Sequence, residues 1–432
     1  MMKTKLRVIG CALLAAAGVA EAAPDGACAN FYPAGYTLSQ GELTQPWLTT
    51  EQKPVRGAQR QEPNWRTCTV RVTDHAADGV DTFARNDYSR RQAFNADNSR
   101  EIVYANDGHW HLYNAVTYKR LKTLNGLAGD AEPQWDPLDP KTLYYLPYAG
   151  IGMKLFQMDI TTNTTSPMHW DFAARLRQRW PTANAAWTKA EGSPSADGRY
   201  WCFMVDDANW NGLGVFTWDK STDTILGMWN LVGSRPDHVS MSPSGNYCVV
   251  SQENETVFNR DMTNPRVLRQ GAEHSDLAIG ADGDDYMVTV DYGDGNVFMV
   301  NLRTLARTNL FQVYVMPDGS SGYATALHVS GKGYKKPGWV IVSTYAEGRN
   351  NGQYQQQWMH RKVFAVQMAA NPRIYNLADT QNLWVTGAYF DEPHASVSAD
   401  FSKIVFNSNW YNTVDPLDVD VYMVQIKPGL VK

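Results

Sequence analysis

Apolar positions along this chain recur in short bursts, not at helical spacing. A polar residue opens each burst; an alternating stretch, a turn and a second, more continuously apolar stretch follow. Compare His238-Val-Ser-Met-Ser-Pro-Ser-Gly245 with Glu191-Gly-Ser-Pro-Ser-Ala-Asp-Gly198, Arg91-Gln-Ala-Phe-Asn-Ala-Asp-Asn98 and His394-Ala-Ser-Val-Ser-Ala-Asp-Phe401, which align without a gap. Alternation closing on Asp-Gly or Ser-Gly chemistry predicts a β-hairpin. Three looser copies begin at Glu132, His274 and His328. Third strands follow in several units, as at Gly214-Val-Phe-Thr-Trp218 and Asn296-Val-Phe-Met-Val. Helical periodicity is confined to one short candidate, residues 171–179.

The seven units start 36 to 66 residues apart. A four-stranded blade needs roughly 40–45 residues, and the excess is read as loops. One such sheet cannot bury both faces, whereas seven arranged radially bury one another. The expected fold is all-β, a seven-bladed β-propeller over residues 74–432 with a short N-terminal arm or closing strand at 23–73. A two-sheet sandwich would make the in-register copies a coincidence.

Residues 1–22 read as a signal peptide: Lys3, Lys5 and Arg7 precede an apolar run at 8–20, then Ala20-Glu21-Ala22. That run is too short for a stop-transfer helix. The mature chain is therefore expected to be secreted or periplasmic, monomeric and free of the membrane. A net charge of −5 without any basic run argues against a nucleic-acid partner. Four of the five cysteines lie beyond the leader, an even number for an oxidising compartment. Cys28 with Cys68 would tie the arm to the first strands, and Cys202 with Cys248 would join neighbouring blades.

In a propeller the residues leading into each innermost strand ring the central axis. Here they are Arg91, Glu132, Glu191, His238, His274, His328 and His394, so four of the nine histidines share one register. Three readings follow. The imidazoles are structural, bonding neighbouring backbone; or they hold a divalent metal such as Mn, Ca or Zn, with His274, His328 and His394 as ligands and Glu191 as a hard ligand; or one is a general base. Arg90 and Arg91 stand beside the ring, and a forked guanidinium suits a substrate carboxylate. Loops expected on the same end carry Trp110, Trp210, Asn211, Tyr345 and Trp410, a composition suited to sugar hydroxyls and ring faces. Fifteen Trp and 22 Tyr also serve inter-blade packing, and Asn and Asp also make turns.

The repeated His-x-Ser-x-Ser-x-Asp/Ser-Gly entries, and Glu392-Pro393-His394-Ala-Ser-Val-Ser above all, resemble the oligogalacturonate lyase family of propellers. The plan is also similar to propeller-type ulvan lyases. The resemblance covers residues 74–426 as a repeat pattern. In the first family His and Gln residues hold a divalent metal, which by motif position implies His238, His274 and His394 here. No His-x-His pair stands beside His394, a departure from that family. In the ulvan-type enzymes His, Tyr and Arg act without a catalytic metal.

The resemblance implies a polysaccharide lyase that cleaves an acidic polysaccharide or oligosaccharide by β-elimination next to a uronate carboxylate. His274 or His238 would take the C5 proton. Arg91 or a metal would neutralise the carboxylate, and Tyr292 or Tyr345 would protonate the leaving oxygen. Two alternatives stay open. A glycoside hydrolase would need two carboxylates, with Glu132 and Glu191 as the pair; a non-catalytic propeller would only bind glycan or protein. No Gly-x-Ser-x-Gly nucleophile motif is present.

Overall fold

The computed structural model describes residues 25–385 and 389–432, so the leader predicted at 1–22 lies outside the described residues. Among the described residues the chain is all-β apart from one helix, Ala173–Arg179, and four short 3-10 turns. Four sheets have four antiparallel strands each, connected in sequence order, and a fifth adds Ser39–Gln40 to the outer edge of four such strands. A nine-stranded sheet holds two more meanders of this kind. One runs Phe83–Arg85, Arg100–Ala105, Trp110–Asn114, Arg120–Thr123. The other runs Ser396–Val397, Lys403–Ser408, Val419–Gln425, and is completed from the N-terminal arm by Cys68–Arg71. Two residue pairs, Val419 with Phe83 and Asp420 with Ala84, join them in parallel.

The repeated motif has a local cause. Four residues into the aligned copies stand Asn95, Ser195, Ser242 and Ser398, and each side chain accepts the backbone N–H five residues on, from Arg100, Tyr200, Tyr247 and Lys403. Between them Asn98, Gly198, Gly245 and Phe401 have φ of 56°, 69°, 72° and 65°. The turn thus needs a short polar side chain to satisfy the backbone and a left-handed residue to reverse it, which is the Ser…Gly spacing of the sequence. Phe401 takes that conformation at a cost of roughly 1–2 kcal/mol; its fully buried ring packs over Gly333, where a Cβ would stand 2.5 Å from it.

Sheets bury one another through aromatic faces. In chain order the third sheet begins at Ala183–Trp187 and the fourth at His238–Met241; Phe172, which precedes the third, packs on its Phe203, Phe216 and Trp218, and all four are buried. The disulfide Cys202–Cys248 staples Tyr200–Asp207 to Tyr247–Ser251 of the next sheet. Cys28–Cys68 fixes the arm to the strand that completes the last sheet.

Two innermost strands are interrupted, and this positions the site. Phe83–Arg85 pairs with the far end of Arg100–Ala105, and Phe94 rejoins the same edge opposite Glu101. Residues 86–93 leave the ladder in between. Likewise Ala183–Trp187 pairs with the end of Tyr200–Asp207, and Ser195 resumes pairing with Tyr200 after an excursion.

Glu101 is buried between the first and last sheets, and neither carboxylate oxygen has a hydrogen-bond partner. Burial, only partly offset by the Lys403 charge, pushes its pKa up to about 8. The folded state therefore holds a proton that the unfolded chain releases near its ordinary value of about 4.5. Stability from this residue is full below that value and falls as pH rises towards 8. Glu101→Gln is expected to gain on wild type by about 3–5 kcal/mol at pH near 8.5 and little at pH near 4. Denaturant unfolding at the two pH values checks this; equal gains at both would show that the carboxyl is already ionised in the fold.

Candidate active site

The first excursion carries Tyr88, Arg90 and Arg91 into the channel. Arg90 is buried and crosses the axis. Its Nε donates to the Ser275 carbonyl, and its Nη1 reaches both the Glu191 carboxylate and His238 Nε2, the latter at 2.8 Å. Its Nη2 makes no hydrogen bond to the described residues, so one edge of the fork is uncommitted. The second excursion carries Glu191, which stays partly exposed beside it.

Arg91, expected to meet the substrate, is placed elsewhere. Nε donates to Asp87 at 2.5 Å, Nη1 to the Pro133 carbonyl at 3.1 Å and Nη2 to the Ala190 carbonyl at 2.7 Å. All three nitrogens are spent holding three blades together. Glu132 is similarly consumed: it accepts from Thr188 N, Thr188 Oγ1 and Ala190 N and is buried. It anchors the second excursion and cannot reach a glycosidic oxygen.

Three of the four entry histidines converge. His274 stacks on His328 with ring centroids 4.4 Å apart, and His328 lies 4.2 Å from His394. Tyr345 stacks on His328 from the other side, 5.0 Å away and nearly parallel, while Tyr88 meets both His328 and His394. Protonation follows from the partners. His274 Nδ1 lies 2.9 Å from the Leu327 carbonyl, which can only accept; Nδ1 carries the hydrogen and Nε2 keeps its lone pair. His328 Nε2 donates to Glu392 Oε2 at 2.8 Å. His394 Nδ1 accepts from Arg85 Nη2 at 2.7 Å, so its hydrogen is on Nε2, 3.3 Å from the same Glu392 oxygen. Burial first, then the neighbouring imidazole and guanidinium charges, hold His328 well below its ordinary pKa. Burial and His328 do the same to His394. Both are neutral; Glu392 accepts from His328 and lies near His394 Nε2, which makes no hydrogen bond.

His238 is the exception among the four, because its Nε2 accepts from Arg90 and its Nδ1 faces Asp237 at 3.5 Å. His328 Nδ1 also keeps an unpartnered lone pair but is buried, whereas His274 is partly exposed. Among the phenols, Tyr292 donates to the Thr325 carbonyl at 3.0 Å and burial raises its pKa. Burial and the adjacent Glu392 raise that of Tyr345. Tyr389 is 47% exposed, lies over the Arg85 guanidinium at 5.2 Å and packs on His394.

The aromatic loop residues divide. Trp210 is 37% exposed at the rim, with Asn211 beside it tied to Asp207. Trp110 and Trp410 are only 1% and 7% exposed. Trp110 donates to the Ala128 carbonyl and lies under Arg91; Trp410 donates to the Glu51 carbonyl and stacks on Tyr422. They are core residues, since an indole whose N–H meets a backbone carbonyl is satisfied inside. The residues the sequence reading left out, Arg85, Tyr88, Tyr389 and Glu392, include one that stood in view two positions before His394.

Among the described residues three clusters have the composition of metal ligands: His328, Glu392, His394; His75, Asp418, Asp420; and Glu191, Asp237, His238. In each a protein cation already sits on the donors. Arg71 and Lys53 contact Asp420 at 2.7 and 2.8 Å. Lys189 contacts Asp237 at 2.9 Å, and Arg90 contacts Glu191. Arg85 holds His394 Nδ1. A metal-bound imidazole normally donates its second nitrogen's hydrogen to an acceptor. Arg85 cannot accept, so His394 Nε2 has no lone pair to offer. In this donor arrangement His394 Nε2 carries hydrogen, whereas His328 Nδ1, buried without a hydrogen-bond partner, and Glu392 keep the composition of metal ligands.

No protein-family model matches the sequence, and no curated protein matches it. Solved structures share its fold. An oligogalacturonate lyase in complex with manganese is 14% identical, with a TM-score of 0.57 over 92% of this chain and 98% of that one. The oligogalacturonate lyase of Vibrio parahaemolyticus is 12% identical, with a TM-score of 0.55 over 90% of this chain and 97% of that one. The chain has an oligogalacturonate-lyase-like propeller fold.

Proposed function

We propose that this chain is a secreted, monomeric, seven-bladed lyase that cleaves uronate-containing glycans by β-elimination. The observation that carries the reading is Arg90, a buried guanidinium crossing the channel with one edge free, beside an imidazole whose lone pair faces outward. The uronate carboxylate sits on the free edge of Arg90, which neutralises the charge that grows as the C5 proton leaves. His274 Nε2 takes that proton, with Nδ1 held by Leu327 to fix the tautomer. The C5–H electron pair forms the C4–C5 double bond, the C4–O bond breaks, and the leaving oxygen takes a proton from Tyr389. Arg85, beneath the Tyr389 ring, steadies the phenolate that remains. Glu132 is committed to donors of Thr188 and Ala190, which takes it out of the pair with Glu191 that a hydrolase was expected to use.

One solved relative in fold is described with manganese. In this chain the Arg90 guanidinium supplies positive charge beside the proposed carboxylate position. Activity is therefore expected to survive chelation. The test is the ultraviolet absorbance of unsaturated uronate, with the mature protein on pectin fragments, ulvan, alginate and glucuronan, with and without EDTA. A rising signal that EDTA leaves unchanged supports the reading, and His274→Gln should abolish it. A signal lost in EDTA and restored by manganese would return the histidines to metal binding. Silence across the panel from folded protein would leave a binding propeller.

A further inference from the structure

Resting on that reading, we infer that the rim between the third and fourth sheets holds a second carboxylate-binding subsite. It is built from Arg235, Trp187 and Trp210, and it recognises a uronate unit away from the scissile bond. Arg235 belongs to the loop that enters His238–Met241 and stands three residues before His238. Roughly 10 Å of extended chain therefore separates it from the catalytic ring. Its guanidinium is fixed on one side by the fully buried Asp206: Nε to Oδ1 at 3.0 Å and Nη2 to Oδ2 at 2.8 Å. Asp206 is itself held by Trp187 Nε1 at 2.7 Å. The two indoles pack on each other, centroids 5.5 Å apart, and both lie on one side of the guanidinium, 5.4 and 5.6 Å from its carbon.

The arrangement is fixed, because the fork donates twice to one buried carboxylate and rests against the packed pair of rings. Yet Nη1 makes no hydrogen bond to the described residues, and the side chain remains 27% exposed. A group needed only for packing would not leave one donor edge turned to solvent beside an exposed indole. Asp206 cancels the charge locally, but a second carboxylate can still accept from Nη1 with the geometry already paid for. Trp210, which holds a left-handed backbone with φ of 63°, offers its ring face to the apolar side of a pyranose. Lys189, two residues before Glu191 in the chain, pairs with the exposed Asp237 at 2.9 Å. The ligand class is an oligomer of uronic acid long enough to reach from ring to rim.

The test is calorimetric binding of size-fractionated galacturonate, glucuronate, guluronate and mannuronate oligomers, dimers against hexamers, with absorbance assays in parallel. For the oligomer that wild type binds and cleaves, Arg235→Gln is expected to weaken hexamer binding about tenfold or more and to leave the dimer unchanged. Trp210→Ala, at an exposed ring, should act in the same direction and checks against misfolding at Arg235. Equal affinities of wild type and both variants for hexamer, with cleavage intact, would overturn the subsite and leave the lyase reading standing. Absence of binding and cleavage by wild type on every oligomer would overturn both.

Discussion

Arg90→Lys is expected to lower the rate of unsaturated-uronate formation by two to three orders of magnitude while the protein still folds. The magnitude is about that of removing one fixed donor from a site of developing charge. Lysine keeps the positive charge but cannot bridge Ser275, Glu191 and His238 and also present a second edge outward. Because the carboxylate gains charge only as the proton leaves, kcat should fall more than KM rises. Arg90→Ala is a poorer probe. It would strand Glu191 beside a half-buried gap, and breaking such a pair costs about 3–5 kcal/mol of stability, which would mix folding with chemistry. A lysine variant with kcat within about threefold of wild type would remove Arg90 from the mechanism.

The second large effect is on stability. Replacing Cys28 and Cys68 together by serine is expected to lower the free energy of unfolding by about 4 kcal/mol, the chain-entropy value for a loop of 40 residues. The bond matters because Cys68 begins the strand that completes the last sheet. The arm around it grips the same C-terminal strand. Tyr32 donates to the Gln425 carbonyl, Cys68 N donates back to the Tyr32 hydroxyl at 3.0 Å, and Asp25 N donates to Gln425 Oε1 at 3.0 Å. Chemical denaturation measures the loss, and the lyase rate well below the melting temperature should not change, since the arm does not reach the histidine cluster. A loss under about 1 kcal/mol would mean that these hydrogen bonds hold the closure unaided.

Much of the architecture was legible because one turn is repeated. A short polar side chain and a left-handed residue at fixed spacing are demanded by backbone geometry, so Ser195 to Gly198 and Ser242 to Gly245 announce themselves. The convergence of His274, His328 and His394 followed from the same register. The excursions did not, since residues 86–93 carry no periodicity that marks a departure from the ladder. Thus Arg90 and Arg91 looked equivalent, although one crosses the axis and the other is a staple. Trp110 and Trp410 looked like sugar platforms because an indole in an Asn- and Asp-rich loop has the same sequence neighbours whether its ring faces solvent or core. Glu392 and Arg85 acquire their roles only from partners 64 and 309 residues away in the chain.

The sheet built from both ends of the chain sets the order in which the molecule can be made. Cys68–Arg71 is synthesised early and Val419–Gln425 almost last, so the strand made first waits for nearly the whole polypeptide before its ladder forms. Until then it is an open edge, able to pair with another chain. Closure over so long a separation is slow. The chain is therefore most exposed to misassembly in the interval before Val419–Gln425 is available, and removal of that strand should yield aggregates instead of a smaller folded protein.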